Sequence, residues 1–234
     1  MTLKWGSTTV TAVKWGSTNC TVVYWGSTIV FPDGYIPLSR GYTGIYYYGY
    51  GDSSPSGKCL YSGGNITTTY NQGGYTETIN NFATISGMTM TSKYRMRDGG
   101  SGNIDVKFWS GVCALTSTNT INLTAGNHTA TLNWSITRPS GSYNYYDGIG
   151  IRIYYRTSLP TTGTSVSYGS QWYTTASSAT ATNPISATKN ITSARNYYIT
   201  IEFTPYQKQS GWTSIPQGTI YTHGIFTINS LVIV

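Results

Sequence analysis

Apolar and polar residues alternate with a period of two through much of the second half of this chain. Leu132, Trp134 and Ile136 alternate with Thr131, Asn133 and Ser135. Ile149, Ile151 and Ile153 alternate with Gly150, Arg152 and Tyr154, and Tyr197, Ile199, Ile201 and Phe203 with Tyr198, Thr200 and Glu202. A period of two places every second side chain on one face of a strand, so each stretch predicts a strand with one apolar face. Further strands are expected near residues 75–85, 88–97, 103–109, 119–124 and 164–174, with turn residues between them. The segment Gly224-Ile-Phe-Thr-Ile-Asn-Ser-Leu-Val-Ile-Val234 is so apolar that it must be central or covered, because an exposed edge of this kind would aggregate. No helix of two or more turns is predicted. The pattern over residues 59–234 therefore reads as all-β, an antiparallel β-sandwich of jelly-roll type.

A different order governs the first thirty residues. Lys4-Trp-Gly-Ser-Thr-Thr-Val-Thr-Ala-Val13 is followed by Lys14-Trp-Gly-Ser-Thr-Asn-Cys-Thr-Val-Val23, and then by Tyr24-Trp-Gly-Ser-Thr-Ile-Val-Phe-Pro-Asp33. Trp5, Trp15 and Trp25 thus recur every ten residues, each ahead of Gly-Ser-Thr. Each unit predicts a Gly-Ser turn beside a short β-branched strand, with Val13 and Trp15, or Val23 and Trp25, on one face. Isolated short hairpins are marginal in water. Residues 1–31 are therefore expected to be a docking or oligomerisation module resting on Trp5, Trp15, Trp25, Val13 and Val23, the alternative being a sheet extension of the main domain. Residues 32–58, with Pro32, Pro37 and the tract Gly41-Tyr-Thr-Gly-Ile-Tyr-Tyr-Tyr-Gly-Tyr-Gly51, are expected to be a connector.

These tandem units, covering about residues 3–33, resemble the N-terminal repeats of structural proteins of tailed bacteriophages. The likeness is closest to head-fibre or tail-fibre components of crAss-like phages. The resemblance implies a non-enzymatic virion protein whose N-terminal segment anchors it to capsid or tail proteins while the distal domain is displayed outward. A head fibre decorating the capsid, homo-oligomeric, is the first expectation; a tail-fibre protein recognising a host-surface glycan is the second, and a polysaccharide-degrading enzyme the third.

Composition adds to this picture. Ser, Thr, Gly and Tyr supply 115 of the 234 residues, whereas only 9% are charged. Threonine and tyrosine favour strands, and the scarcity of Ala, Leu, Glu and Lys disfavours helices. The net charge of +7 comes from 14 basic and 7 acidic residues. The densest basic group, Lys93, Arg95 and Arg97, alternates along one strand face, so no nucleic-acid partner is expected. No run is long and apolar enough for membrane insertion. Cys20, Cys59 and Cys113 are odd in number and lack metal-ligand spacing, which predicts free thiols in a chain made in a reducing compartment. The opening residues show no signal-peptide pattern, so the expected history is synthesis in the host bacterial cytoplasm and residence in the virion.

Material for catalysis is scarce, and no catalytic residue, metal ligand or cofactor is assigned. His128 and His223 have no second ligand at metal spacing, and Asp98 and Asp105 are the nearest acidic pair worth weighing for glycosidase chemistry. Gly51-Asp-Ser-Ser-Pro-Ser-Gly-Lys-Cys59 has one residue too many for a phosphate-binding loop and Cys in place of Ser or Thr. Asp98-Gly-Gly-Ser-Gly-Asn-Ile-Asp105 puts Ile104 where a calcium-binding nonapeptide needs Asp. Planar aromatics beside short polar residues bind sugars. On that ground Tyr143, Tyr145, Tyr146, Trp172 and Tyr173 are the candidate glycan-binding residues, the alternative being that they fill a core or an oligomer interface.

Overall fold

The computed structural model describes residues 4–5, 8–9, 13–15, 18–19, 23–25, 28–31, 34–49, 67–72, 75–80, 82–97, 107–137, 148–159, 170–175, 183–206 and 220–234. The described residues form strands and their connections, with no helix among them. The strands are β1 (Lys4–Trp5), β2 (Thr8–Thr9), β3 (Lys14–Trp15), β4 (Thr18–Asn19), β5 (Val23–Trp25), β6 (Thr28–Phe31), β7 (Leu38–Gly49), β8 (Thr67–Gln72), β9 (Tyr75–Asn80) and β10 (Ala83–Ser86). They continue as β11 (Thr89–Arg97), β12 (Lys107–Ser117), β13 (Ile121–Leu123), β14 (Gly126–Thr137), β15 (Gly148–Arg156), β16 (Ser170–Thr175), β17 (Ile185–Ile191), β18 (Arg195–Tyr206) and β19 (Ile220–Ile233).

Eight of these strands pair as a nested hairpin: β11 with β19, β12 with β18, β14 with β17 and β15 with β16, all antiparallel. Rolled up, the nested pairs give two layers. One has the order β10-β11-β19-β14-β17 and the other β7-β12-β18-β15-β16. This is the jelly-roll arrangement. The layers share one corner, where the C-terminal half of β11 pairs with the start of β12. Beyond that corner β12 leaves β11 and runs beside β18 instead.

At the fork β19 carries a bulge, with His223 the extra residue opposite the step from Ser92 to Lys93 on β11. The buried Ser92 hydroxyl donates to the Gly111 carbonyl at 2.6 Å, and the Lys93 amide donates to the Phe82 carbonyl at 2.7 Å. A Cβ on Gly111 would overlap that same Phe82 carbonyl, so only glycine lets the chains come this close. Gly111→Ala is expected to cost about 1–3 kcal/mol by forcing the strands apart. Urea unfolding of the variant checks this, and a loss below about 0.5 kcal/mol would show that the fork yields freely.

The apolar faces named by periodicity meet between the layers. Leu132, Ile151, Ile153, Ile199, Ile201 and Phe203 are completely buried, and Trp134 and Tyr197 nearly so. The last strand is indeed central, lying between β11 and β14. Its apolar residues do not keep one period throughout: Phe226 and Ile228 point inward, and so do Leu231 and Ile233. A bulge resolves the mismatch, because Asn133 pairs with Ser230 but Trp134 with Ile228, leaving Asn229 as the extra, exposed residue. Across the outer face of the first layer short polar side chains pair strand to strand. Thr129 and Thr188 hydroxyls lie 2.9 Å apart, and the amides of Asn133 and Asn190 donate to Ser230 and Asn127. The abundance of Thr, Ser and Asn serves this solvated sheet face.

The boundary of the sandwich differs from the expected connector. All of β7 pairs with β12, from Leu38 opposite Ser117 to Gly49 opposite Lys107. Just before it, Ile36 donates to the Leu231 carbonyl and Ile233 to the Gly34 carbonyl, so residues 34–36 continue the first layer along β19. Gly34 takes φ +74°, where a Cβ would also overlap the Ile233 carbonyl. Tyr46, Tyr47 and Tyr48 are accordingly strand residues opposite Ser110, Trp109 and Phe108. Periodicity did not reveal this strand because glycines and tyrosines interrupt any simple apolar alternation along it.

Strand directions give the sandwich two unlike ends. The chain enters at Gly34, and at that end lie Val234, the turn between β10 and β11, residues 118–125 and 192–194, the end of β15 and the start of β16. At the opposite end β11, β14, β16 and β18 finish and β12, β15, β17 and β19 begin, and β7 also finishes there.

Candidate functional site

The N-terminal repeats fold as three separate two-stranded hairpins. Trp5 pairs with Thr8, Trp15 with Thr18 and Trp25 with Thr28, so each Trp stands at the same register position with Gly-Ser between the partners in sequence. Val23 lies in β5 two residues before Trp25 and is half-buried. Val13 is half-buried but lies just outside β3. The last of these strands, β6, ends at Phe31, three residues before Gly34, a reach of at most about 11 Å.

The candidate glycan residues are not brought together. Trp172 is a core residue, a correction to its expected role. It is 6% exposed, its indole N–H donates to the Ala187 carbonyl at 3.0 Å, and its ring meets Tyr155 edge-on at 5.9 Å. Stacking on a sugar needs an open ring face; this ring instead ties the free edges of the two layers, β16 and β17, together. Tyr173 is half-buried and packs against the same core. Tyr143, Tyr145 and Tyr146 lie outside the described residues, as do Cys20, Cys59, Asp98 and Asp105. Cys113 is a free, fully buried thiol, and desolvation raises its pKa. The His128 ring is bonded to the Thr124 carbonyl at 3.0 Å. Among the described residues no group of three or more His, Cys, Asp or Glu is placed to hold a metal ion, and no helix is long and apolar enough to cross a membrane.

Among the described residues, charged and polar side chains gather on the outer face of the second layer, which strand periodicity does not mark out. On β12 and β18 the residues alternating with the core are Val112, Ala114, Thr116, Thr200, Glu202 and Thr204, and all are buried. Their neighbours across the sheet are Tyr42 opposite Ala114, Arg40 opposite Thr116, Arg152 opposite Glu202, Tyr154 opposite Thr200 and Arg156 opposite Tyr198. Small residues therefore form a floor, with the Thr116 and Thr200 hydroxyls 2.8 Å apart, and long Arg and Tyr side chains form the rim.

Two charges are prominent here. Glu202 is fully buried and accepts a 2.6 Å bond from Arg152 Nη1, whose side chain is 22% exposed. Taking a carboxylate out of water costs several kcal/mol unless a partner offsets it, and the neighbouring strand provides one. Arg156 differs: its Nε and Nη2 are buried and have no hydrogen-bond partner. Arg40 Nε donates to the Thr118 carbonyl at 3.3 Å. Burial raises the pKa of the Tyr42 phenol, while Arg40 and Arg156 pull it the other way. Glu202 is one of only two glutamates in the chain and interrupts an isoleucine-rich strand, which was the one visible signal for this layer.

No protein-family model, curated protein or solved structure matches this chain.

Proposed function

We propose that this protein is a non-enzymatic structural component of a tailed-phage particle, a head fibre that decorates the capsid. Its N-terminal hairpins dock to virion proteins or to sister copies, and the jelly roll is carried outward. The observation that carries this reading is the trio of hairpins with the same Trp–Thr pairing that precede the sandwich along the chain. Two-stranded units of this size cannot sustain themselves in water and need a surface to bury their tryptophans. The polarity of the sandwich supports the same reading. The chain enters at one end, and β11, β14, β16 and β18 finish at the other, the polarity that a displayed module requires.

Deleting residues 1–31 tests it. The expected result is loss of incorporation into particles, measured by quantitative immunoblot of purified virions, with the melting temperature of the remaining sandwich preserved. Unchanged incorporation would overturn the reading. A tail-fibre role in glycan recognition draws on one feature of the sequence, the three tyrosines among residues 138–147, between β14 and β15. Glycan-array binding by the full chain, abolished when Tyr143, Tyr145 and Tyr146 are replaced by Ala, would favour that role instead.

A further inference from the structure

We propose that the rim around Arg156, on the outer face of the second layer, is a binding site for a carboxylate. Nε and Nη2 form one side of the guanidinium, and their two N–H bonds run nearly parallel. That edge matches the two oxygens of a carboxylate in a bidentate pair. Both atoms are buried without a partner. A buried cationic donor left unpaired is costly, so an anion seated there recovers interaction that the chain itself does not supply.

The surroundings fit an anion and no cation. Arg40, Arg156 and Tyr198 all stand near enough to Tyr42 to act on its phenol electrostatically. Two arginines and two tyrosines thus stand at neighbouring register positions around the paired hydroxyls of Thr116 and Thr200, Arg40 opposite Thr116, Tyr42 opposite Ala114 and Arg156 opposite Tyr198. Glu202, on the same face, is engaged by Arg152. With 14 basic residues against 7 acidic ones, the chain holds an excess of guanidinium and ammonium groups over carboxylates. Planarity and two-oxygen recognition favour a carboxylate, which offers one oxygen to each N–H, over a spherical ion such as chloride, on which both N–H groups must converge at a single centre.

The carboxylate has two sources of the same chemistry: a simple carboxylic acid, or the acid group of a uronic sugar, whose ring would additionally meet the Tyr42 and Tyr198 side chains. The experiment uses the full-length chain labelled with 15N. The Arg156 Nε–Hε resonance, assigned by its absence in Arg156→Lys, is followed while sodium acetate or sodium glucuronate replaces sodium chloride at constant ionic strength. A saturable shift of that resonance with either carboxylate, absent with chloride, is expected, and tighter binding of glucuronate would assign the sugar acid as the source. Arg156→Lys keeps the charge but loses the fork, and is expected to weaken affinity by about tenfold or more, read from carboxylate-dependent thermal stabilisation. Tyr42→Phe provides a milder second variant, expected to weaken it severalfold. A linear, unsaturating shift would overturn the proposal, as would equal stabilisation of wild type and both variants. None of these measurements involves particles, so the outcome is independent of the docking role of the hairpins.

Discussion

Replacing Phe226 by Ala is expected to destabilise the sandwich by about 3–5 kcal/mol. Phe226 is fully buried on β19 and stacks on two other rings. One is Trp134 on β14, with centroids 5.3 Å apart, and the other is Phe203 on β18, at 4.8 Å and nearly parallel to it. Trp134 belongs to the first layer and Phe203 to the second, so Phe226 is the middle of a column joining the two. Truncation removes its transfer free energy and leaves a cavity bounded by rigid aromatic walls, which cannot collapse to fill it. Stacked pairs of this kind contribute about 0.5–1.5 kcal/mol beyond area burial. Chemical denaturation with urea gives the difference directly. A loss below about 1 kcal/mol would show that the column is not central to the core. Phe226→Leu, which retains most of the volume, is expected to cost clearly less.

Glu202→Ala comes next, with an expected loss of about 3–5 kcal/mol for breaking a buried ion pair by removing one partner. The loss is not the worth of the contact itself. Once the carboxylate is gone, the Arg152 guanidinium is left mostly buried beside an apolar gap, having lost its 2.6 Å partner. A double-mutant cycle separates the two effects. Glu202→Met with Arg152→Met is expected to be markedly more stable than the sum of the single changes, because the pair then leaves no uncompensated charge. Strict additivity in that cycle would mean that Arg152 and Glu202 are not energetically coupled.

The strands around Leu132, Ile151 and Ile201 were legible from the sequence because one of their faces packs on the core, and burial of one face imposes a period of two. The central place of the last strand was legible for a related reason, since a segment so apolar has no stable position at an edge. Three other features escaped. The strand from Leu38 to Gly49 reads as a Tyr/Gly tract because its pairing with Lys107–Ser117 depends on backbone hydrogen bonds rather than apolar alternation. The boundary between Phe226 and Leu231 switches parity at Asn229, and no single-period pattern anticipates a bulge. Trp172 reads equally well as a sugar platform or a core residue, since an aromatic beside Gly, Ser and Tyr carries no mark of which way its strand faces.

The amino-acid sequence by itself determined that this protein is all-β, that its first thirty residues are a repeated unit, and which faces of several strands turn inward. These are local properties: hydrophobic period, turn chemistry and repetition are written along the chain and need no knowledge of neighbours. Only the tertiary structure decided that the residues opposite those inward faces on β12 and β18 are buried as well. Thr116, Thr200 and Glu202 look like water-facing positions in any one strand. They become a buried polar layer because strands distant in sequence set Arg40, Tyr42, Arg152 and Arg156 around them. Burial of a polar residue depends on what covers it and pairs with it, and that is a property of the folded arrangement rather than of the strand that carries the residue.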